Sequence, residues 1–261
     1  MKIPTNLTFR HLSTVALLAA TTWLAGCHAP VRTPDAWAQS RQMVVVTIPD
    51  WTSIHGTMRR FERAPDGQWT PVGSADPVVI GKGGAGWGLG LNPRRTDGPM
   101  KKEGDGRSPA GVFEIGPAFG YASTAETGLQ YMPMTASNYC VDVGNSPLYN
   151  RIVDADKVGM AAVEGATEHM RLDLVKAGDM RYAEGFVIEH NAQQTPFGGS
   201  CIFGHIWGGP DRPTAGCTAM PADTMRTVLA WLRKDARPVE VLLTDAKYRE
   251  LQREWALPAL D

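Results

Sequence analysis

Residues 201–207 read CIFGHIW, and residues 214–220 read TAGCTAM a short loop later. The first stretch alternates with the period of a β-strand, so its cysteine, Cys201, shares one face with His205. The second stretch places Cys217 beside a glycine, among small residues that permit a tight turn. An imidazole on a rigid strand, next to a loop that carries a thiol, is the arrangement that nucleophilic cysteine chemistry requires.

Short β-rich segments, separated by glycine, proline or aspartate, occupy most of the chain around this pair. In chain order they are MVVVTI (43–48), GTMRRFER (56–63), DPVVIG (76–81), GVFEIG (111–116), FVIEHN (186–191) and PVEVLLT (238–244). Glycines at positions 84, 86, 88 and 90 share one strand face, which lets another backbone or a ligand approach closely.

Helices are fewer. Pro221 begins a segment with apolar residues at helical spacing, and residues 245–255 are expected to form a closing helix. The weakly periodic segment 155–183 is also expected to be helical. The sequence therefore predicts a mostly β, β-rich α+β fold with a few peripheral helices.

The N-terminus has the pattern of an export signal. Basic residues at positions 2 and 10 precede an apolar run over 15–25, which ends in Leu-Ala-Gly-Cys. The run is shorter than the roughly 20 apolar residues of a membrane span, and its end resembles a bacterial lipobox. We therefore expect a signal peptide over residues 1–26 and a lipid on Cys27. An ordinary cleaved signal with a chance cysteine is the alternative.

This leader predicts a membrane-anchored lipoprotein in the periplasm of a Gram-negative-type envelope. The lipidated residue opens a polar, proline-bearing stretch over 27–42, which is expected to be a linker. A single domain is expected to follow over residues 43–261.

The chain has four cysteines, so a lipidated Cys27 leaves three in an oxidising compartment. Three thiols form one disulfide and leave one free. Cys140 and Cys201 both lie in apolar, strand-like segments, and we expect them to be paired. Cys217 then remains free, either as a reactive thiol or as a buried inert one.

Composition narrows the function classes. The formal net charge of -1 gives no general attraction to nucleic acid. A hydrophobic content of 43% indicates a globular protein, and eight tryptophans with 28 glycines favour a strand-rich fold with a groove. We expect a monomer.

Two features are expected to favour the thiolate of Cys217. The helix predicted from Pro221 directs the positive end of its dipole toward the thiol, and His205 is placed to accept its proton. Backbone N–H groups of Ala215, Gly216 and Cys217 form a candidate oxyanion site. Three alternatives stay open: a buried structural His205, a cysteine peptidase of another kind, and a zinc site. Its ligands would be His190, Cys201, His205 and Cys217.

At these residues the chain resembles a known family. TAGCTAM after an upstream histidine is similar to the Ser/Thr-His-Gly-Cys signature of the L,D-transpeptidases, and EGDGRSPAGVFEIG (103–116) resembles a second segment of those domains. The similarity covers roughly residues 75–245. Ala215 departs from the family, which has a histidine there. The spacing from His205 to Cys217 is also shorter than the family's.

The resemblance implies an L,D-transpeptidase-like β-sandwich with the cysteine in a groove. It also implies acyl transfer on peptidoglycan stem peptides through a thioester, with Cys217 as nucleophile and His205 as base, and without a metal or organic cofactor. The residues expected to contact substrate are Thr214, Ala215, His190, Arg107 and Arg212. A periplasmic hydrolase of stem peptides, with water as acceptor, and a non-catalytic wall-binding lipoprotein are the alternatives.

Overall fold

The computed structural model describes residues 1–2 and 34–260. The signal peptide, Cys27 and the first part of the expected linker lie outside the described residues. Among those described, no helix combines the length and apolar character needed to cross a membrane.

Strands dominate the described chain, with 34% of residues in strands against 15% in helices. The strands are β1 (Gln42–Ile48), β2 (His55–Arg63), β3 (Trp69–Val79), β4 (Ala85–Trp87), β5 (Ser108–Gly120), β6 (Tyr131–Pro133), β7 (Asn138–Cys140), β8 (Ile152–Asp154), β9 (Glu168–His169), β10 (Glu184–Ile188), β11 (Phe203–Ile206), β12 (Thr218–Met220) and β13 (Val239–Thr244). The helices are α1 (Ala155–Val158), α2 (Leu172–Val175), α3 (Ala222–Trp231) and α4 (Asp245–Leu251), with 3-10 turns at Asp35–Trp37, Met160–Val163 and Lys234–Ala236. The predicted mostly β class is confirmed.

Ten strands form one large mixed sheet in the order β10-β11-β12-β3-β2-β1-β13-β5-β4, with β6 paired to β5. The long strand β5 pairs with β13 through its first half and with β10 through its second half. This second pairing closes the sheet on itself, so the two layers that face each other across the core belong to one continuous sheet. Within this sheet, β11 and β12 are parallel neighbours.

The core is built from continuous apolar runs. All seven residues of β1 and all six of β13 are buried, as expected for central strands covered on both faces. The last helix, α4, packs against these two strands. Each fully buried Val, Leu or Ile side chain contributes about 1.5–3 kcal/mol relative to an exposed one, so this pair of strands is a large part of what stabilises the sheet.

A separate three-stranded sheet, β8-β7-β9, lies in the middle of the chain. It is tied to the loop before β11 by the predicted disulfide between Cys140 and Cys201, which are 61 residues apart and joined by an S–S bond in the structure. The predicted pairing is therefore confirmed, and Cys217 is the free cysteine of the described part of the chain. On the chain-entropy account, a loop of this length contributes about 4 kcal/mol to the free energy of unfolding.

Three expectations about local structure are corrected. The segment 155–183 holds only two four-residue helices, a 3-10 turn and β9, because turns at Gly159, Gly165 and Gly178, all with positive φ, interrupt any longer helix. Cys201 lies before β11 rather than on it, because its backbone is left-handed with φ of 55°.

The third correction concerns the expected linker. Its described part belongs to the folded unit, because Trp37 is buried with its ring 5.8 Å from that of Trp255, and β1 already begins at Gln42. The helices predicted from Pro221 and over 245–255 are present as α3 and α4.

Candidate active site

The two residues singled out by the sequence lie on neighbouring parallel strands. His205 is in register with Ala219, and Cys217 stands two residues before that position, where the Phe203 N–H donates to its Sγ at 3.3 Å. Alternation therefore directs the side chains of His205 and Cys217 to one face of the sheet. With strands about 4.8 Å apart and a rise of about 3.3 Å per residue, their Cα atoms are about 8 Å apart. The structure thus brings the predicted pair together.

Glycines on this part of the sheet make room for aromatic rings that pack against it. The residue opposite His205 on β10 is Gly185. A Cβ there would lie 2.6 Å from the Phe119 ring. Between Phe203 and His205, a Cβ on Gly204 would lie 2.3 Å from the Phe186 ring. Neither position accepts a side chain without moving an aromatic ring that packs against the sheet.

Hydrogen bonds hold the loop that carries the thiol. The Thr214 hydroxyl donates to the Cys217 carbonyl at 2.7 Å and accepts from the Gly216 N–H at 3.0 Å. The buried Ser108 hydroxyl also donates to the Cys217 carbonyl, at 3.2 Å. A Cβ on Gly216 would lie 3.0 Å from the Arg107 carbonyl, so the loop packs tightly on β5. Thr214 is therefore a residue that shapes the loop.

The hydrogen bonding of His205 determines its tautomer. Its Nδ1 lies 2.8 Å from the carbonyl of Ile206. A carbonyl only accepts, so Nδ1 carries the proton, and the neutral imidazole then has its lone pair on Nε2. His205 is thus held with one nitrogen available as a base.

Burial sets the resting protonation of both groups. It raises the pKa of the Cys217 thiol to about 12 and lowers the pKa of His205 to about 4. At neutral pH the thiol and the imidazole are therefore both uncharged. The expected raised thiolate fraction is wrong for this resting state, because desolvation outweighs what the neighbouring groups contribute.

A cleft of about 870 Å³ opens over this face, and His205, Thr214 and Ala219 line it together with Arg181 and Arg212. Cys217 is only 6% exposed and is not itself one of the lining residues. A separate cavity of about 400 Å³, beside Glu114 and Glu189, contains neither member of the pair. The first cleft is therefore the candidate site.

His190 belongs to a different part of the core. Its Nδ1 accepts from the Leu89 N–H at 3.2 Å, and its Nε2 lies 3.1 Å from the Gly198 carbonyl. Burial lowers its pKa to about 4. Both ring nitrogens are thus occupied by the backbone, which makes His190 a structural histidine in this arrangement.

The two predicted substrate-binding arginines differ in their placement. The Arg107 guanidinium donates to the carbonyls of Ala85 at 2.9 Å and Trp51 at 3.3 Å, so it links backbone segments instead of facing the cleft. Arg212 is exposed and lines the cleft. Ala215 is exposed beside it. Of the predicted substrate-binding residues, Arg212 and Thr214 line the cleft, whereas Ala215 is exposed outside its lining.

The zinc alternative does not fit. Cys201 is bonded to Cys140 and cannot be a thiolate ligand, and the described residues contain no group of three or more His, Cys, Asp or Glu side chains arranged around a metal position.

Two residues near the thiol were not anticipated. The ring of Tyr182 lies 5.1 Å from that of His205, and its hydroxyl donates to Glu168 at 2.6 Å. Both come from parts of the chain that carry no motif, so only the fold identifies them.

The chain has no match among the protein-family models, the curated proteins or the solved structures with which it was compared. What the protein does must therefore be inferred from this site and its motifs.

Proposed function

We propose that this protein is a cysteine acyltransferase that acts on peptidoglycan stem peptides, as an L,D-transpeptidase. The observation that carries the proposal is the pair of Cys217 and His205, directed to one face of adjacent strands with His205 Nε2 left as a base. The resemblance of the surrounding motifs supplies the substrate class.

The reaction proceeds in two halves. His205 Nε2 takes the proton of the Cys217 thiol while Sγ attacks the carbonyl carbon at the third-position diamino acid. The C–N bond to the terminal D-Ala breaks, the imidazolium gives its proton to the leaving amine, and a thioester remains on Cys217. An amine of a neighbouring stem then attacks the thioester, His205 accepts its proton, and the thiol is restored.

Backbone N–H groups of the loop supply the oxyanion site in this scheme. The Gly216 N–H is already committed to the Thr214 hydroxyl. This leaves the N–H groups of Ala215 and Cys217 from the predicted set.

Substrate reaches the thiol from the cleft. Reacting atoms must approach to about 3–3.5 Å, and Cys217 is almost fully covered. Acylation therefore requires the lining above it to move. The segment 176–181 lines the cleft, and we propose that it moves when substrate binds.

The export pattern and lipid anchor complete the proposal. A lipid on Cys27 in the periplasm gives the site access to the cell wall. Arg212 at the cleft is expected to pair with a carboxylate of the stem, since guanidinium binds carboxylate in bidentate geometry.

Incubation of the purified protein with tetrapeptide stems, followed by mass spectrometry of the products, tests the proposal. We expect cross-linked dimers when an acceptor amine is present. Tripeptide alone would indicate the hydrolase alternative. Unchanged stems with wild-type protein would refute the enzymatic proposal and favour the wall-binding alternative.

A further inference from the structure

Tyr182 is a buried tyrosine beside both members of the proposed catalytic pair. It lies just before β10, is 4% exposed, and belongs to the same buried cluster as Cys217. Its ring meets that of His205 edge to face at 5.1 Å and 70°. It packs in the same way on Phe203, at 5.6 Å, and the Phe203 N–H binds Cys217 Sγ. Tyr182 therefore packs on the proposed base, His205, and on Phe203, the residue whose N–H binds the nucleophile.

Glu168 connects this tyrosine to the small sheet. The Tyr182 hydroxyl donates to Glu168 Oε1 at 2.6 Å. Across the small sheet Glu168 is in register with Cys140, whose disulfide partner is Cys201. The Cys201 carbonyl in turn lies 3.5 Å from Cys217 Sγ. These contacts therefore connect Tyr182, through Glu168 and the disulfide, to the Cys217 thiol.

The two residues act on the thiol with opposite signs. Burial, first, and the negative charge of Glu168, second, raise the pKa of Cys217, whereas the hydrogen bond from the Phe203 N–H and the nearby polar side chain of Tyr182 lower it. The positive charge of Lys101 also lowers it. A change at Tyr182 and a change at Glu168 are therefore distinguishable in the behaviour of the thiol.

The charges that face Glu168 come from two other elements. Burial raises its pKa, the hydrogen bond from Tyr182 and the charge of Arg181 lower it, and the charge of Asp142, after β7, raises it. The fully buried Tyr182 keeps its own proton, because burial and the charge of Glu168 raise its pKa well above 10. Its hydroxyl therefore remains a donor over the working range of pH.

We propose that Tyr182 and Glu168 form a positioning pair, in which Tyr182 aligns the Cys217 thiol with the His205 ring for proton transfer and Glu168 fixes the Tyr182 hydroxyl. The catalytic meaning of this pair rests on the proposed function. The effect of Tyr182 and Glu168 on the Cys217 thiol does not rest on that function, because their contacts exist without an acyl substrate.

Alkylation of Cys217 by iodoacetamide across pH, followed by peptide mass spectrometry, tests the pair. Tyr182→Phe removes one hydroxyl and keeps the ring, so it is expected to slow alkylation at pH 8 about threefold. Glu168→Gln removes the charge and is expected to accelerate it about threefold. A change of one unit in thiol pKa alters the thiolate fraction about tenfold, and the opposite change in nucleophilicity reduces the net effect to about threefold.

Tyr139→Phe is the matched control, because Tyr139 lies on β7 beside Cys140 and packs on His169 instead of the thiol. It is expected to leave the profile unchanged. If the pair has only a structural role, Tyr182→Phe and Glu168→Gln should both accelerate alkylation, because looser packing exposes the Cys217 thiol in each variant. That result, or equal rates in all variants, would overturn the inference.

A second measurement, of turnover, tests the catalytic role of the pair, and a further variant is provided in case Tyr182→Phe does not fold. Tyr182→Phe is expected to lower kcat and leave KM unchanged. If that variant does not fold, Glu168→Asp replaces it: it keeps the charge but withdraws it from Tyr182, and alkylation should not accelerate as it does in Glu168→Gln. Opposite shifts in alkylation with no turnover by wild-type protein would retain the positioning pair and refute the proposed function.

Discussion

Glu240 is a buried carboxyl directly behind the strand that carries the thiol, and its removal should change how stability depends on pH. It lies on β13 between Val44 and Phe113 of the adjacent strands and is 2% exposed. The Thr218 hydroxyl donates to its Oε1 at 3.1 Å, while Oε2 has no partner among the described residues. Burial raises its pKa from 4.5 to about 7, and the bond from Thr218 opposes this.

The sign of the effect follows from proton binding. Between pH 4.5 and 7 the folded protein holds a proton on Glu240 that the unfolded chain has lost, so stability falls as pH rises. A difference of about 2.5 units corresponds to about 3 kcal/mol at about 1.4 kcal/mol per unit. That loss is complete above pH 7, where both states are ionised.

Glu240→Gln keeps the shape and cannot ionise. It leaves the two N–H donors of a buried amide without an acceptor, a cost of about 1–3 kcal/mol for each group that does not vary with pH. We therefore expect the free energy of unfolding of Glu240→Gln, minus that of wild type, to rise by about 3 kcal/mol from pH 4.5 to pH 8. Urea denaturation across this range measures the difference, and the exposed Glu126→Gln is the control. A difference that stays flat would refute the assignment of a neutral, buried carboxyl.

Four further outcomes are expected. Cys217→Ala should abolish turnover of stem peptides, measured by product mass spectrometry, because no other group forms the thioester. His205→Ala should lower kcat about 10²–10⁴-fold, the usual effect of losing a positioned proton-transfer group. Reduction of the Cys140–Cys201 disulfide should lower the free energy of unfolding by about 4 kcal/mol in denaturation curves. The product expressed in bacteria should partition into detergent through a lipid on Cys27, and an unmodified N-terminus in the aqueous phase would contradict this.

The central strands could be predicted from the sequence because their apolar runs are also the segments that the structure buries. The apolar run at 43–48 and the run at 238–244 are central strands, β1 and β13. The disulfide followed from parity, since three thiols leave one unpaired, and its two cysteines were chosen for their apolar settings. The motifs predicted that Cys217 and His205 lie together, and the parallel pairing of β11 with β12 brings them to one face of the sheet.

The rest depends on contacts that local pattern does not encode. Residues 155–183 contain enough apolar residues to suggest a helix, yet Glu168 from this segment pairs with β7 as a strand. Tyr182 donates to Glu168 from outside the small sheet, which the disulfide also links to the site, and no local pattern shows this contact. His190, in contrast, was expected at the site from its strand, but that strand ends at Ile188. The turn after it directs the imidazole into the core.

The resting pair of Cys217 and His205 constrains the chemistry of the proposed reaction. Burial raises the pKa of the Cys217 thiol to about 12 and lowers that of the His205 imidazole to about 4, so both groups are neutral at rest. In the proposed reaction the proton moves to His205 as Sγ attacks the carbonyl, when the charge passes to the oxyanion and its N–H donors. In the periplasmic setting proposed for this protein, burial shields Cys217, the only free cysteine among the described residues, from oxidants in solution.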